Sequence, residues 1–177
     1  MPNHQSSALR APEADASVDP ADFRRVMGHF ATGVVAVTAR DPLGGEPVGL
    51  AANSFTSVSL SPALVSLCVA HTSTTWPRIR RGGRFCVNVL AERQRAACAQ
   101  LARSGGDKFR GLDWAVAPGG LPVLSGALAR LECSVSAEHP AGDHVIVVAR
   151  VHAMEAGPVG DDGPLLFYRG GYGGFRD

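Results

Sequence analysis

Pro47-Val48-Gly49-Leu50-Ala51-Ala52-Asn53-Ser54-Phe55-Thr56-Ser57-Val58-Ser59-Leu60-Ser61-Pro62 reads as two strands whose contents do not suit a plain core. Residues 48–55 form the returning half of a hairpin, yet Gly49, Asn53 and Ser54 give it a small and polar character. Residues 56–60 alternate polar and apolar side chains, the period of a half-buried strand, until Ser61-Pro62 breaks the run. Immediately upstream, residues 34–39 are β-branched and apolar, and Asp41-Pro42-Leu43-Gly44-Gly45 supplies the turn. Residues 63–70, immediately downstream, are nearly all apolar and predict a buried strand. Four strands in succession with no helix between them predict antiparallel pairing.

The same reading extends to both ends of the chain. Asp19 caps a first helix, Pro20 suits its first position, and Asp22 favours its positive end. Phe23, Val26, Met27 and Phe30 repeat at i, i+3, i+4 and i+7 and predict one apolar face, with Gly33 as the stop. A short helix is predicted over residues 76–81, closed by Gly82-Gly83, and a strand over 85–90. A third helix spans 91–103, with Gln94, Ala97, Cys98 and Leu101 on one face. Residues 105–122 read as a loop containing Trp114. Residues 128–137 and 144–154 read as strands joined by a turn at Pro140-Ala141-Gly142-Asp143. A loop over 157–164, a last strand over 165–169 and a Gly/Tyr tail complete the chain. Six or more strands with about three helices, lacking βαβ alternation, predict a mainly β protein built as an antiparallel barrel with flanking helices.

The chain has 177 residues, which favours one domain, over residues 19–177; the polar residues 1–18 read as a disordered tail. Hydrophobic residues make up 45 % and suffice for a sizeable core. Lys+Arg 17 against Asp+Glu 16 leaves a formal charge of +1, without the cationic excess of a nucleic-acid surface. No apolar run approaches the roughly 20 residues of a membrane span, and no signal peptide is evident, so the expectation is a cytoplasmic protein without membrane contact. Cys68, Cys86, Cys98 and Cys133 make no C-x-x-C pair and have no histidine at metal-ligand spacing. Cys68, Cys86 and Cys133 lie in apolar runs and are expected to be small buried hydrophobes. No nucleophile elbow, Walker loop or H-E-x-x-H occurs, and the glycines at 170, 171, 173 and 174 have no helix after them as a dinucleotide fingerprint requires. Chemistry carried by cofactors, such as hydride transfer, fits this inventory best.

From Gly49 to Pro62 the sequence resembles the short-chain NAD(P)H:flavin oxidoreductases, the reductase components of two-component flavin-dependent monooxygenases. The likeness extends through Ala31-Thr32-Gly33-Val34-Val35, Arg84-Phe85-Cys86-Val87-Asn88-Val89-Leu90 with Gln94, Gly142-Asp143-His144, and the stretch from Pro164 to Tyr172. It covers nearly all of the chain from Phe23 onward. The resemblance implies an FMN-binding split β-barrel, a homodimer, and transfer of hydride from a nicotinamide to FAD or FMN. NADH is the preferred donor, because no basic cluster obviously suits a 2′-phosphate, although Arg78, Arg80 and Arg81 keep NADPH open. It also implies a separate monooxygenase partner that receives the reduced flavin. Leu50, Ala51 and Ser61 depart from the commonest pattern, removing a hydroxyl and an acidic group, and leave FAD and FMN both open.

The resemblance assigns roles by position. Pro47, Val48, Gly49, Leu50, Ala51, Asn53 and Ser54 would form the flavin wall, where small residues let backbone amides approach a ring and Asn53 and Ser54 add polar groups. By residues alone this is equally a hairpin edge with a bulge at Gly49. Cys68-Val69-Ala70-His71-Thr72-Ser73-Thr74-Thr75 would hold the flavin phosphate; by residues alone it is a hydroxyl-rich turn. Lys108 would add positive charge there, although a lone lysine is ordinarily a solvated one. His144, with Tyr168, Arg169, Gly170, Gly171 and Tyr172, would close the nicotinamide side, His144 as the catalytic residue and the tyrosines as stacking surfaces. The alternatives are a solvated strand-end histidine and a strand packing on the barrel. A flavin carrier without turnover and a pyridoxamine-phosphate oxidase-like relative are the rival readings; the second would require a dedicated phosphate cluster of Arg and Lys.

Overall fold

The computed structural model describes residues 18–157 and 162–175. The expected disordered tail therefore lies outside the described residues, apart from Val18. The helices are α1 (Pro20–Met27), α2 (Trp76–Gly82) and α3 (Arg95–Ala102), the last preceded by a 3-10 turn at Glu92–Gln94. The strands are β1 (Thr32–Gly33), β2 (Val35–Arg40), β3 (Pro47–Ala52), β4 (Thr56–Leu60), β5 (Ala63–Ala70) and β6 (Arg84–Val89). They continue as β7 (Trp114–Val116), β8 (Pro122–Leu124), β9 (Ala129–Ala141), β10 (His144–Ala156), β11 (Leu166–Tyr168) and β12 (Gly171–Gly173). The main sheet is antiparallel with order β3-β2-β6-β9-β10-β5-β4. It curls until β3 touches β5, while its edge strands β3 and β4 remain unpaired with each other, so the barrel is open. No helix among the described residues is long and apolar enough to cross a membrane.

β2 reads as a continuous apolar run because both of its faces are covered. Val35, Val37 and Ala39 point into the interior of the curl, where Trp76 and Ile79 of α2 meet Phe85, Leu67 and Val147. The neighbouring Val34 and Ala36 point outward against Cys98 and Leu101 of α3, Phe109 and Leu165. The β7–β8 hairpin is docked by two buried polar residues. Asn88 Nδ2 donates to the Ala36 carbonyl and to Thr38 Oγ1, Asn88 Oδ1 accepts from Leu124 N–H, and Thr38 Oγ1 donates to the Pro122 carbonyl at 2.5 Å. Every one of these groups is fully buried and paired, as interior polar groups must be.

Several expectations are corrected. α1 stops at Met27 with Gly28 as its cap, because the chain must straighten into β1, which pairs with β11. Its apolar face is not buried: Phe23, Val26, Met27 and Phe30 are all about half or more exposed. Residues 105–122 are not wholly loop, since β7 begins at Trp114 and pairs with β8. The turn between β9 and β10 is only Gly142-Asp143, with Gly142 at φ +61, which suits a two-residue hairpin that begins on glycine. The Gly/Tyr tail is strand β12, folded back on β11 through Arg169 and Gly170 at φ +49 and +79. Cys86, Cys98 and Cys133 are buried, and burial pushes the thiols of Cys86 and Cys133 up to about 12. Cys68 is exposed, because it lies on the face of β5 opposite Leu67 and Val69, and that face is uncovered.

Candidate functional site

Two cavities adjoin along the β3 side of the molecule. The smaller, about 360 Å³, is walled by Leu50, Ala51, Ala52, Asn53 and Ser54 on one side. Its other walls are Cys68, Val69, Ala70 and Thr72 to Thr75, the end of α3 at Leu101–Ser104, His144 and Lys108. The larger, about 680 Å³, takes Glu46, Pro47, Val48 and Gly49 with Thr74, Thr75, Arg78, the segment 105–110 and Trp114. Thr74, Thr75 and Lys108 belong to both.

Lys108 is positioned by its own loop. Asp107 Oδ1 accepts the Phe109 N–H at 3.1 Å, and Gln100 of α3 donates to the carbonyls of Lys108 and Arg110. The ammonium then donates to Thr75 Oγ1 at 2.9 Å and to the carbonyls of Leu101 at 3.1 Å and Gly49 at 3.2 Å. None of the ion pairs among the described residues includes it. Desolvation and the nearby Arg78 lower its pKa below the ordinary lysine value. The three hydrogen bonds of this half-buried ammonium all go to neutral oxygens, so its charge is matched by no carboxylate.

The hydroxyl-rich segment is partly used by the fold. Ser73 Oγ accepts the Trp76 N–H at the start of α2, and Thr75 Oγ1 faces Lys108. Thr72 and Thr74 are exposed at the cavity rim. His71 lines neither cavity; its N–H donates to the Asp143 carbonyl at 3.0 Å. Ser54 gives both of its hydrogen-bonding directions to the Cys68 backbone. Gly49 is buried, and a Cβ there would meet Leu101 at 3.0 Å and Phe109 at 3.2 Å, so its smallness serves packing against α3 rather than approach of a ligand.

His144 opens β10 beside the smaller cavity, and its Nδ1 lies 2.7 Å from Asp143 Oδ1. The hydrogen bond and charge of His144 hold the Asp143 carboxyl below the usual aspartate range. The residues expected to share the pocket with His144 are dispersed. Tyr172 lies with Phe167 in a shallow cleft that reaches Ala51, Ala52 and Asn53. Its hydroxyl lies 3.5 Å from Cys98 Sγ, and that contact together with burial pushes its pKa up to about 12. Gly170 borders a third cavity, about 810 Å³, with Phe23, Met27, Phe30 and Phe55. Tyr168, Arg169 and Gly171 line none of these cavities.

Sequence reasoning missed the end of α3 and the residues after it, Leu101–Ser104, and Glu46, Phe109, Arg110 and Trp114. These residues reach the cavities through tertiary packing of α3 on β3, for which no local motif stands. The three α2 arginines considered for a 2′-phosphate are already engaged. Arg78 pairs with Asp41 at 2.6 Å and also with Glu46, Arg80 pairs with Glu138 at 2.7 Å, and Arg81 lies 3.9 Å from Asp41.

Comparison with known proteins matches residues 27–176 to the family described as flavin reductase like domain. The chain is 46 % identical over 159 residues to a flavin reductase of Pseudomonas putida, covering 90 % of this chain and 92 % of that one. It is 45 % identical to HsaB of Rhodococcus jostii, the reductase subunit of a flavin-dependent monooxygenase, over 90 % of this chain and 80 % of that one. Among solved structures, it matches the NADH:FAD oxidoreductase SgcE6 of Streptomyces globisporus in complex with NAD and FAD fragments. The TM-score there is 0.81 with 38 % identity, covering 92 % of this chain and 98 % of that one.

Proposed function

Because this chain belongs to the flavin reductase-like family, we propose that it is an oxidoreductase that passes hydride from NADH to FAD or FMN and releases reduced flavin to a separate monooxygenase component. The observation that carries the reading is Lys108: an ammonium without a carboxylate partner, set between a hydroxyl-rich loop and a strand of small residues. That arrangement fits a flavin, whose phosphate would lie at Lys108, Thr74 and Thr75 and whose ring would lie along Leu50 to Ser54.

When bound, the flavin supplies the N5 position that accepts the hydride. The chain's own contribution is orientation and exclusion of water. Leu50, Ala51 and Ala52 offer a narrow backbone wall, and Asn53 presents an exposed amide. His144, held by Asp143, stands at the same cavity as the group that would position the nicotinamide. The ion pairs of Arg78, Arg80 and Arg81 engage the three arginines of α2 that could meet a 2′-phosphate, which supports NADH as the donor. The exposed apolar face of α1, beside the 810 Å³ cavity, supports a homodimer.

The test is anaerobic mixing of the purified protein with NADH and free flavin while NADH absorbance is followed. Flavin-dependent loss of NADH is expected. Absence of any flavin-dependent oxidation with NADH and with NADPH overturns the proposal.

A further inference from the structure

We propose that the larger cavity beyond Lys108 seats the adenosine monophosphate half of FAD, so that this chain selects FAD over FMN. The inference rests on the flavin reading above and narrows it to one cofactor.

The two cavities meet at a single cation. FMN ends at its phosphate, whereas FAD continues from that phosphate through a second one to a ribose and an adenine. With the flavin ring along Leu50 to Ser54 and its phosphate at Lys108, the continuation leads into the 680 Å³ cavity, which is larger than the 360 Å³ of the flavin side. An FMN would leave that space to water.

The far cavity carries groups suited to a nucleotide. Trp114 is half-buried, with its ring 5.7 Å from that of Phe109 in an edge-to-face pair, and both border the cavity. An indole held in this way offers a surface on which a flat base can stack. Arg110 brings guanidinium donors to the same walls, while Arg78, also there, is held by Asp41 and Glu46. The carboxylates present are each matched: Glu46 to Arg78, and Asp107 to Arg110 at 3.8 Å. Lys108 has no such partner, so the junction retains positive charge where a diphosphate would lie. Arg110 is exposed and its pair with Asp107 is loose at 3.8 Å, so it can exchange that carboxylate for a phosphate.

The experiment measures dissociation constants of FAD, FMN and riboflavin for the wild-type chain and for Arg110→Ala and Trp114→Ala, with 5′-AMP as a competitor. FAD is expected to bind about tenfold or more tightly than FMN, and each variant to weaken FAD about three- to tenfold while FMN stays within about twofold. 5′-AMP should displace FAD, and Arg110→Ala should reduce that displacement. Arg110→Ala changes only an exposed side chain, so the test stands even if Trp114→Ala fails to fold. Equal affinities for FAD and FMN, unmoved by Arg110→Ala, overturn the inference and leave the flavin reading standing. So does a rise in the NADH Michaelis constant at saturating FMN in Arg110→Ala, which would place the donor's adenosine there instead. If none of the three flavins binds, the flavin reading itself falls.

Discussion

The Ser54 side chain and the Cys68 backbone hold each other through two hydrogen bonds: the Cys68 N–H donates to Ser54 Oγ at 2.9 Å, and the Ser54 hydroxyl donates back to the Cys68 carbonyl at 3.1 Å. Strand pairing between β4 and β5 reaches only to Thr56 and Ser66, so beyond that point the Ser54 side chain takes the place of a strand neighbour. Ser54→Ala leaves both Cys68 groups open to the cavity. A loss of about 1 kcal/mol in urea unfolding is expected, with flavin affinity several-fold weaker, and Ser54→Thr should recover both. A Ser54→Ala protein with unchanged stability and unchanged flavin affinity would show that the clamp does not shape the site.

Gly49 tests packing rather than ligand approach. A methyl group there would press on Leu101, Phe109 and the Val37 carbonyl at 3.0–3.2 Å. None is the free end of an exposed side chain, since Leu101 and Phe109 are buried. Gly49→Ala should cost about 1–3 kcal/mol and displace the loop that carries Lys108. Thermal melting of the protein without flavin is the measurement, and an unchanged midpoint would contradict it.

Gly49 also shows where the sequence stops being informative. As a residue it announces that a side chain is excluded, but what excludes it lies far along the chain, in α3 and its following loop. Strands β4 and β5 were readable to the residue, because alternation and turn residues are local. Lys108 was not: nothing around it in sequence distinguishes it from a solvated lysine, and only the three oxygens gathered from β3, the residue before α2, and α3 do. Cys68 reads as apolar from its neighbours, yet its face of β5 borders the cavity. The aromatic C-terminal residues were legible as a block but not as a location, since Tyr172 turns inward to Cys98, away from His144.

The charge of Lys108 gives a pH dependence. Its pKa in the protein without ligand is lowered, and a bound phosphate would raise it again. Flavin affinity is therefore full below the lowered pKa and is lost as pH rises through it toward the bound value. For folding the sign is opposite: the unfolded chain binds the Lys108 proton more tightly, so this group's contribution to stability improves as pH rises between the two values. Lys108→Met should weaken FMN about tenfold or more at neutral pH and flatten the alkaline fall, while riboflavin, which has no phosphate, changes little. Riboflavin and FMN losing affinity equally would remove Lys108 from the phosphate.

The half-exposed α1 face yields a prediction about assembly. Phe23, Met27 and Phe30 border the 810 Å³ cavity with Phe55 and Phe167, an apolar surface with no cover from within the described chain. Light scattering should give the mass of a dimer at micromolar concentration, and Phe30→Asp should shift it toward the monomer. A wild-type protein that is monomeric at all accessible concentrations would leave that face without its proposed partner.

His144 and Asp143 provide the test of the nicotinamide side. The carboxylate of Asp143 is lowered, chiefly by the hydrogen bond from His144, so it stays ionised across the neutral range and the imidazole Nδ1 carries the shared proton. The folding contribution of Asp143 is present above the usual aspartate pKa and disappears as pH falls through the lowered one. At assay pH the pair is therefore intact, and its effect should appear in substrate binding. His144→Ala is expected to raise the NADH Michaelis constant about five- to tenfold while the flavin dissociation constant moves less than about twofold. Asp143→Asn keeps the imidazole but loses its charged anchor, and should raise the same Michaelis constant by a smaller factor. Steady-state kinetics at saturating flavin, paired with flavin titrations, separate the outcomes. Equal losses of NADH and flavin affinity in His144→Ala would make this histidine a structural support of the β9–β10 turn, and the nicotinamide would have to lie elsewhere along the cleft.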